Sequence, residues 1–232
     1  MTDYLKTIYF REEMGINDYP QLMCNHIAKV CFGKNVNGKK ILDIGCGKGN
    51  HLTGFSRCGM EAYGLDKRDE CIESGRDFKV EYCDIENEPF PFEGNYFDYI
   101  FSKSVLEHVW NTDNFLQQSL HVLKPGGMAV FMTPDWRSQC SFFWDDYTHV
   151  KAFTRKSLQN AMIINGYSNV DCSYFLQLPV VWKYPWFEFV TKVIALLPEC
   201  FKWKDKNESQ HRALIRFSKE KMLLSTGKKP NG

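Results

Sequence analysis

The chain has 232 residues, 44% hydrophobic and 25% charged, enough for one sizeable core of an ordinary globular protein. Its formal net charge is +1, and the basic residues are scattered apart from small groups at Lys202, Lys204, Lys206 and at Lys228, Lys229, which leaves no electrostatic case for a nucleic-acid partner. Nine cysteines, an odd number without a C-x-x-C pair, argue against a disulfide framework or zinc ribbon and suit reduced, buried thiols in a cytoplasmic protein.

Taken in order, the opening MTDYLKTIYFREE is not the pattern of a signal peptide, because charges interrupt any apolar core. Residues 3–37 read as helices ahead of a sheet: Pro20 suits a first helical turn, Leu22, Ile27, Val30 and Cys31 keep helical spacing, and Gly33 stops it. The stretch KKILDIGCGKGN, Lys39 to Asn50, follows. Ile41 to Ile44 is an apolar run short enough for a buried strand, and Gly45, Gly47 and Gly49 make the turn after it. The spacing is G-x-G-x-G rather than the G-x-G-x-x-G of dinucleotide sites, and Asp43 just before it would repel a pyrophosphate but accept from an ammonium.

That combination resembles motif I of the class I S-adenosylmethionine-dependent methyltransferases. The resemblance implies an α/β, Rossmann-like three-layer sandwich around a seven-stranded, mostly parallel sheet with one antiparallel strand. It also implies S-adenosyl-L-methionine as cofactor, held at Asp43, Gly45, Cys46, Gly47 and Gly49.

Downstream segments fit the same pattern. Glu61 to Asp66 reads as a second strand ending in an acid, and Asp66 can accept from both hydroxyls of a ribose. Phe78 to Tyr82 reads as a third strand, after which Asp84 matches the family's acid for the adenine amino group, with a loop cap as its plain alternative. The resemblance adds Lys67 and Ile85 beside these two acids. Tyr96 to Phe101 reads as a fourth strand within FDYIFSKSVLEHV, and there the resemblance puts Ser102 and Lys103 beside the methionine part of the cofactor. A helix is predicted over 111–122 with Phe115, Leu116, Ser119, Leu120 and Leu123 on one face, then a turn at Lys124 to Gly127 and a fifth strand over Met128 to Met132. Thr154 should cap a helix stopped by Gly166. The last strands are predicted at 169–178 and 212–218, and residues 225–232 as a disordered tail.

Methyl transfer from a sulfonium is an in-line displacement, so the protein mainly aligns the reactants, and a base is needed only for a weakly acidic hydroxyl. His149, in the loop after the fifth strand, is the candidate base, with Asp146 three residues earlier to orient it; the alternative is a histidine tying the loop down. Ser104 to His108 resembles the metal-binding E-x-x-E-H of some methyltransferases, but Ser104 stands where the first acid belongs. Glu107 and His108 alone make a poor metal site, so no metal is expected and His108 is assigned to the cofactor pocket.

Residues 179–206 form an insertion unlike the family, with a helix from Trp186 to Leu197 that is apolar almost all round and too short for a bilayer. Trp182, Tyr184, Trp186 and Trp203 suit a lid, a subunit contact or a peripheral membrane contact; burial as core is the plain alternative. The organisation expected is a helical cap over 1–38, a methyltransferase domain over 39–224 and the tail. The expected activity is methyl transfer to a small molecule or glycan, at oxygen. The alternatives are a lipid or quinone methyltransferase at a membrane surface, or a non-catalytic S-adenosylmethionine-binding partner subunit. Oligomeric state is not legible.

Overall fold

A computed structural model of the chain describes residues 19–68, 78–206 and 210–231. The expected helical residues 3–18 therefore lie outside the described residues. Helix α1 (Tyr19–Ile27) runs into a π-helical turn, Ala28–Phe32, that Gly33 ends at φ 92°. Then come β1 (Lys40–Ile44), α2 (Asn50–Arg57), β2 (Glu61–Asp66), β3 (Lys79–Tyr82), β4 (Phe97–Lys103) and a 3-10 turn at Leu106–His108. Helix α3 (Thr112–Val122) leads to β5 (Leu123–Pro134), α4 (Trp136–Gln139), a 3-10 turn at Phe143–Asp145, α5 (Arg155–Ile164) and β6 (Ser168–Phe175). The chain closes with α6 (Pro179–Lys183), α7 (Phe187–Ile194), a 3-10 turn at Glu199–Lys202, α8 (Ala213–Lys219) and β7 (Met222–Lys228).

The seven strands form one sheet in the order β3-β2-β1-β4-β5-β7-β6. Pairing is parallel from β3 through β5, and β7 runs antiparallel to both β5 and β6. Strands buried on two faces must be apolar on both, and β1 is: Ile41 packs with Phe55 of α2 and Met23 and Ile27 of α1, whereas Leu42 packs on the face covered by Phe115 and Leu116 of α3 and Leu158 and Met162 of α5. Phe101 and Val130 share the first face, Ile100 and Phe131 the second. These are the three layers expected.

Helix signals in the sequence hold locally. Asn111 caps α3 by accepting from the Asn114 N–H at 3.2 Å, and Thr154 and Ser157 form a reciprocal capping box at α5. The Lys124 to Gly127 turn is a bulge in β5: Phe97 pairs with Leu123 but Tyr99 with Met128.

Two expectations fail at the chain's end. Residues 212–218 are not a strand but chiefly α8, where Ser218 bonds the Leu214 carbonyl and Arg216 pairs with Glu220 at 2.7 Å. The last strand is β7, which takes up much of the 225–232 segment expected to be disordered. Its Lys-, Ser- and Gly-rich end is polar in composition but paired on both sides, and Ser225 is fully buried with its hydroxyl on the Asp171 carbonyl.

The insertion is fastened at two points. Trp182 stacks on His26 at 5.0 Å and donates its indole N–H to the Leu176 carbonyl. Lys202 is buried between Glu220 at 3.0 Å and Glu199 at 3.3 Å, with its ammonium 3.7 Å from the Phe142 ring. Between these anchors α7 and the residues flanking it turn an apolar face outward: Trp186 is 67% exposed, Phe189 73% and Leu196 84%. The core alternative for Trp186 is thus ruled out.

Candidate active site

Strand order reverses between β1 and β4, because the chain runs outward through β2 and β3 and then returns to the other side of β1. In open α/β sheets ligands bind at the carboxyl ends beside such a reversal. Here that crevice holds the glycine loop after β1, the end of β4 and the 3-10 turn beyond it. The Gly45 and Cys46 N–H groups donate to the Leu65 carbonyl at 2.7 and 3.2 Å, folding the loop across the end of β2. Gly45 sits at φ 74°, where a Cβ would run into Val105; Gly47 sits at φ 54°, where a Cβ would meet nothing within 4 Å. Both positions therefore favour glycine, the first for packing as well as its positive φ, the second for its positive φ alone.

Asp43 is 1% exposed, and its Oδ2 has no hydrogen-bond partner. His51 Nδ1 lies 3.7 Å away, too far for a hydrogen bond, and burial holds that imidazole uncharged by lowering its pKa to about 3. Burial, aided by the nearby Asp66 charge, pushes the Asp43 carboxyl up to about 8. A buried carboxylate with one unpartnered oxygen beside a glycine loop is the acceptor a cofactor ammonium needs, so these residues fit S-adenosylmethionine.

Asp66 is also buried and faces the loop, accepting from the Gly47 N–H at 3.0 Å. Arg68 Nε donates to Asp66 Oδ1 at 3.0 Å and its terminal nitrogen to Oδ2 at 3.2 Å, so this guanidinium occupies the carboxylate that a ribose would use. Lys67 is exposed beside it. Asp84 forms a loop cap: its oxygens accept from the Glu86 N–H at 3.2 Å and the Asn87 amide at 2.8 Å, and the Asn87 bond holds its pKa below the usual carboxylate range. Ile85 follows it, half-buried. The Ser102 hydroxyl is spent on the Ile44 carbonyl at 2.8 Å, bracing β4 against β1. The Lys103 charge is close enough to oppose the burial effect on both Asp43 and Glu107.

Glu107, His108 and His149 converge; their ligand-capable atoms all lie within 4.8 Å of one another. Glu107 is buried, accepts from the Thr133 hydroxyl at 2.9 Å, and is raised to about 7 by burial. Its backbone carbonyl accepts from the Val150 and Lys151 N–H groups at 2.8 and 3.1 Å, which draws the 146–151 loop onto the 3-10 turn. The His149 and His108 rings are 4.8 Å apart between centroids, and burial, then the His149 charge, lowers the His108 pKa.

The orienting contacts differ from expectation. His149 Nδ1 lies 2.6 Å from the Phe143 carbonyl, whereas its Nε2 is 3.9 Å from Asp146. Asp146 instead accepts from the Thr148 hydroxyl at 2.6 Å, and that hydroxyl lies 2.9 Å from His108 Nδ1. Asp146 thus orients His108 through Thr148, while a backbone carbonyl orients His149. Neither Thr148 nor Arg68 is marked as a site residue by a motif; the signal each carries is its i,i+2 spacing from an aspartate.

A methyltransferase-domain family model matches residues 17–171, well over half of the chain, and the chain belongs to that family. Together with the sheet order and the Asp43 site, this makes it a class I S-adenosylmethionine-dependent methyltransferase. Among relatives, the human mitochondrial ubiquinone biosynthesis O-methyltransferase is 36% identical over 121 residues, 47% of this chain but only 32% of its own length. The Bradyrhizobium ubiquinone biosynthesis O-methyltransferase is 27% identical over 165 residues, 60% of this chain and 64% of its own. A solved S-adenosylmethionine-dependent methyltransferase from Archaeoglobus fulgidus shares the fold at TM-score 0.65 and 18% identity, covering 97% of this chain and 100% of that one. The chain therefore spans about a third to two thirds of these two curated relatives.

Proposed function

We propose that the protein transfers the methyl group of S-adenosylmethionine to a hydroxyl oxygen of a small acceptor that partitions to a membrane surface. The observation that carries the oxygen is His149. Its Nδ1 is held on the Phe143 carbonyl, so the proton resides there and Nε2 keeps a lone pair, on a residue that clusters with Glu107 and His108. That is the tautomer a base needs to take a hydroxyl proton. Bound S-adenosylmethionine supplies an electrophilic methyl on a sulfonium. For holding it, Asp43 is the candidate partner of the ammonium and Asp66 of the ribose, once Arg68 turns aside. Gly45 to Gly49, Cys46, Lys67, Asp84, Ile85, Ser102, Lys103 and His108 complete the candidate pocket wall.

The outward face of α7 favours a membrane-borne acceptor over a soluble sugar. Trp186, Phe189 and Leu196 are exposed on an element flanked by exposed Lys183, Lys204 and Lys206. Among the described residues no helix is long and apolar enough to cross a membrane, so contact of this kind would be peripheral. The names of the ubiquinone-pathway relatives point the same way.

The test is incubation with methyl-labelled cofactor and either a hydroxylated, prenylated aromatic ring in vesicles or soluble oligosaccharides. Label in the vesicle-borne ring is expected. Label only in sugar would restore the glycan reading, and tight cofactor binding without turnover on any acceptor would favour a non-catalytic partner subunit.

A further inference from the structure

The insertion reaches the candidate base through a single aromatic neighbour. The carbonyl that orients His149 belongs to Phe143, and the residue before it, Phe142, carries its ring against the buried ammonium of Lys202. From this juxtaposition we infer that Lys202 is a positioning residue for His149. Its ammonium, seated on the Phe142 ring, fixes the turn whose carbonyl keeps the imidazole proton on Nδ1. The inference rests on the reading of His149 as base and extends it to a residue outside the cluster of Glu107, His108 and His149.

The carboxylates around Lys202 do not account for its burial. Lys202 is 2% exposed and lies 3.0 Å from Glu220 and 3.3 Å from Glu199. Each of those carboxylates already has another cation: Arg216 Nε stands 2.7 Å from Glu220, and Lys219 Nζ 3.1 Å from Glu199. Among the described residues, then, three cations meet two carboxylates, and one positive charge is left over. An ammonium has three donors and a buried one must satisfy them all. Two can serve the carboxylates, and ring faces supply the rest of its surroundings, Phe142 at 3.7 Å and Trp203 at 5.0 Å from centroid to nitrogen. Desolvation strengthens such cation–ring attraction, so the excess charge binds Phe142.

The ring belongs to a short surface segment whose first half is tied to the entry of β7. The Gln139 amide and the Asp135 N–H donate to the Lys221 carbonyl at 2.8 and 3.0 Å, and the Lys221 N–H donates to the Ser138 hydroxyl at 3.1 Å. Cys140 and Ser141 are exposed, and the chain returns to the protein at half-buried Phe142 and buried Phe143. The Phe143 ring lies 4.3 Å from the His149 ring, and its carbonyl 2.6 Å from His149 Nδ1. A carbonyl only accepts, so this bond sets the proton on Nδ1. Rotation of the peptide after Phe143 would break it and free the imidazole to take its other tautomer. Lys202, holding the adjacent ring, opposes that rotation. The same charge cluster holds the end of α7, because Lys219 Nζ also donates to the Ala195 and Leu197 carbonyls at 2.9 and 2.7 Å. One cluster therefore supports both the outward apolar face and the turn that orients the base.

The test observes His149 in the full chain without cofactor or acceptor, so it can fail while methyl transfer stands, and the reverse. Histidine is labelled with ¹⁵N, and its ring nitrogens are read by NMR at pH ~8, above the usual imidazole range. Loss of signal in His149→Gln identifies the His149 resonances. Wild type should show the Nδ1-protonated form. Lys202→Met keeps length without charge, and Phe142→Leu keeps apolar bulk without a ring face. Each should lower the ratio of Nδ1- to Nε2-protonated His149 by about 2- to 10-fold, the worth of one hydrogen bond. Phe142→Tyr keeps the ring and should keep the wild-type ratio. Melting curves check folding: in Lys202→Met the carboxylates retain Arg216 and Lys219, and the two Phe142 variants decide the question should that variant not fold. A wild-type ratio in folded Lys202→Met or Phe142→Leu would overturn the role of Lys202. So would Phe142→Tyr shifted as far as Phe142→Leu, or a wild-type His149 protonated on Nε2.

Discussion

The Gly47 N–H donates to Asp66 Oδ2 across 3.0 Å, tying the loop after β1 to the acid that ends β2. The bond links two halves of one pocket, so a change at Asp66 reaches the loop as well as any ribose. Asp66→Ala should weaken cofactor binding by ~10- to 100-fold, the loss of one or two charge-assisted hydrogen bonds. Calorimetric affinity equal to wild type would remove Asp66 from the ribose role.

Asp43 predicts a pH dependence. Its carboxyl is raised from 3.8 to about 8, so the folded, ligand-free protein binds more protons than the unfolded chain across that interval. The stability this group contributes is complete below pH ~4 and is lost as pH rises toward 8. A cofactor ammonium needs the ionised form, so binding should release a proton and tighten by up to about tenfold per pH unit between pH 5 and 7. Asp43→Asn should remove both slopes. Equal slopes in the variant and wild type, or calorimetry without proton release, would contradict the assignment.

Leu223 is fully buried in β7, between strands on both sides. Leu223→Ala should destabilise the fold by ~2–5 kcal/mol in denaturant titration. A loss below 1 kcal/mol would mean that the segment is not held as the sheet requires.

Trp186 and Phe189 are predicted to behave oppositely, because their side chains are mostly exposed. Alanine at both should move the melting temperature little but reduce binding to anionic vesicles and raise KM for a vesicle-borne acceptor. A large melting shift with unchanged vesicle binding would count against the docking face.

Much of the candidate cofactor half of this site lies in a single run of chain and so is visible in the sequence: Asp43 and its glycines lie within seven residues, and Asp66 ends a clear strand. The acceptor half was less so. The convergence of Glu107 with His149 depends on how two loops fold against each other, and backbone bonds from Val150 and Lys151 to the Glu107 carbonyl make that approach. Local spacing pairs Asp146 with His149, which lies 3.9 Å from it, but does not reveal its shorter route to His108 through the Thr148 hydroxyl. At the far end, polar composition hid β7, since Ser225 and Thr226 look like tail residues until both neighbours pair with them. Within the 212–218 stretch, by contrast, Leu214, Ile215 and Phe217 read as a strand, although the Ser218 hydroxyl donates back to the Leu214 carbonyl and Arg216 donates to the Glu220 carboxylate at helical i,i+4 spacing.

The position of β7 also bears on how the protein is made. Among the described strands it comes after β5 and β6 in sequence but sits between them in the sheet. During synthesis β6 has no neighbour to pair with until the ribosome has delivered residues 222–228, so the nascent chain carries an open seam beside β5. Segments emerging earlier can build the β1 to β5 half and its glycine loop, domain-like, while the seam waits. Closure is therefore a late event, and a stalled or C-terminally nicked chain would present two unpaired strand edges to its surroundings.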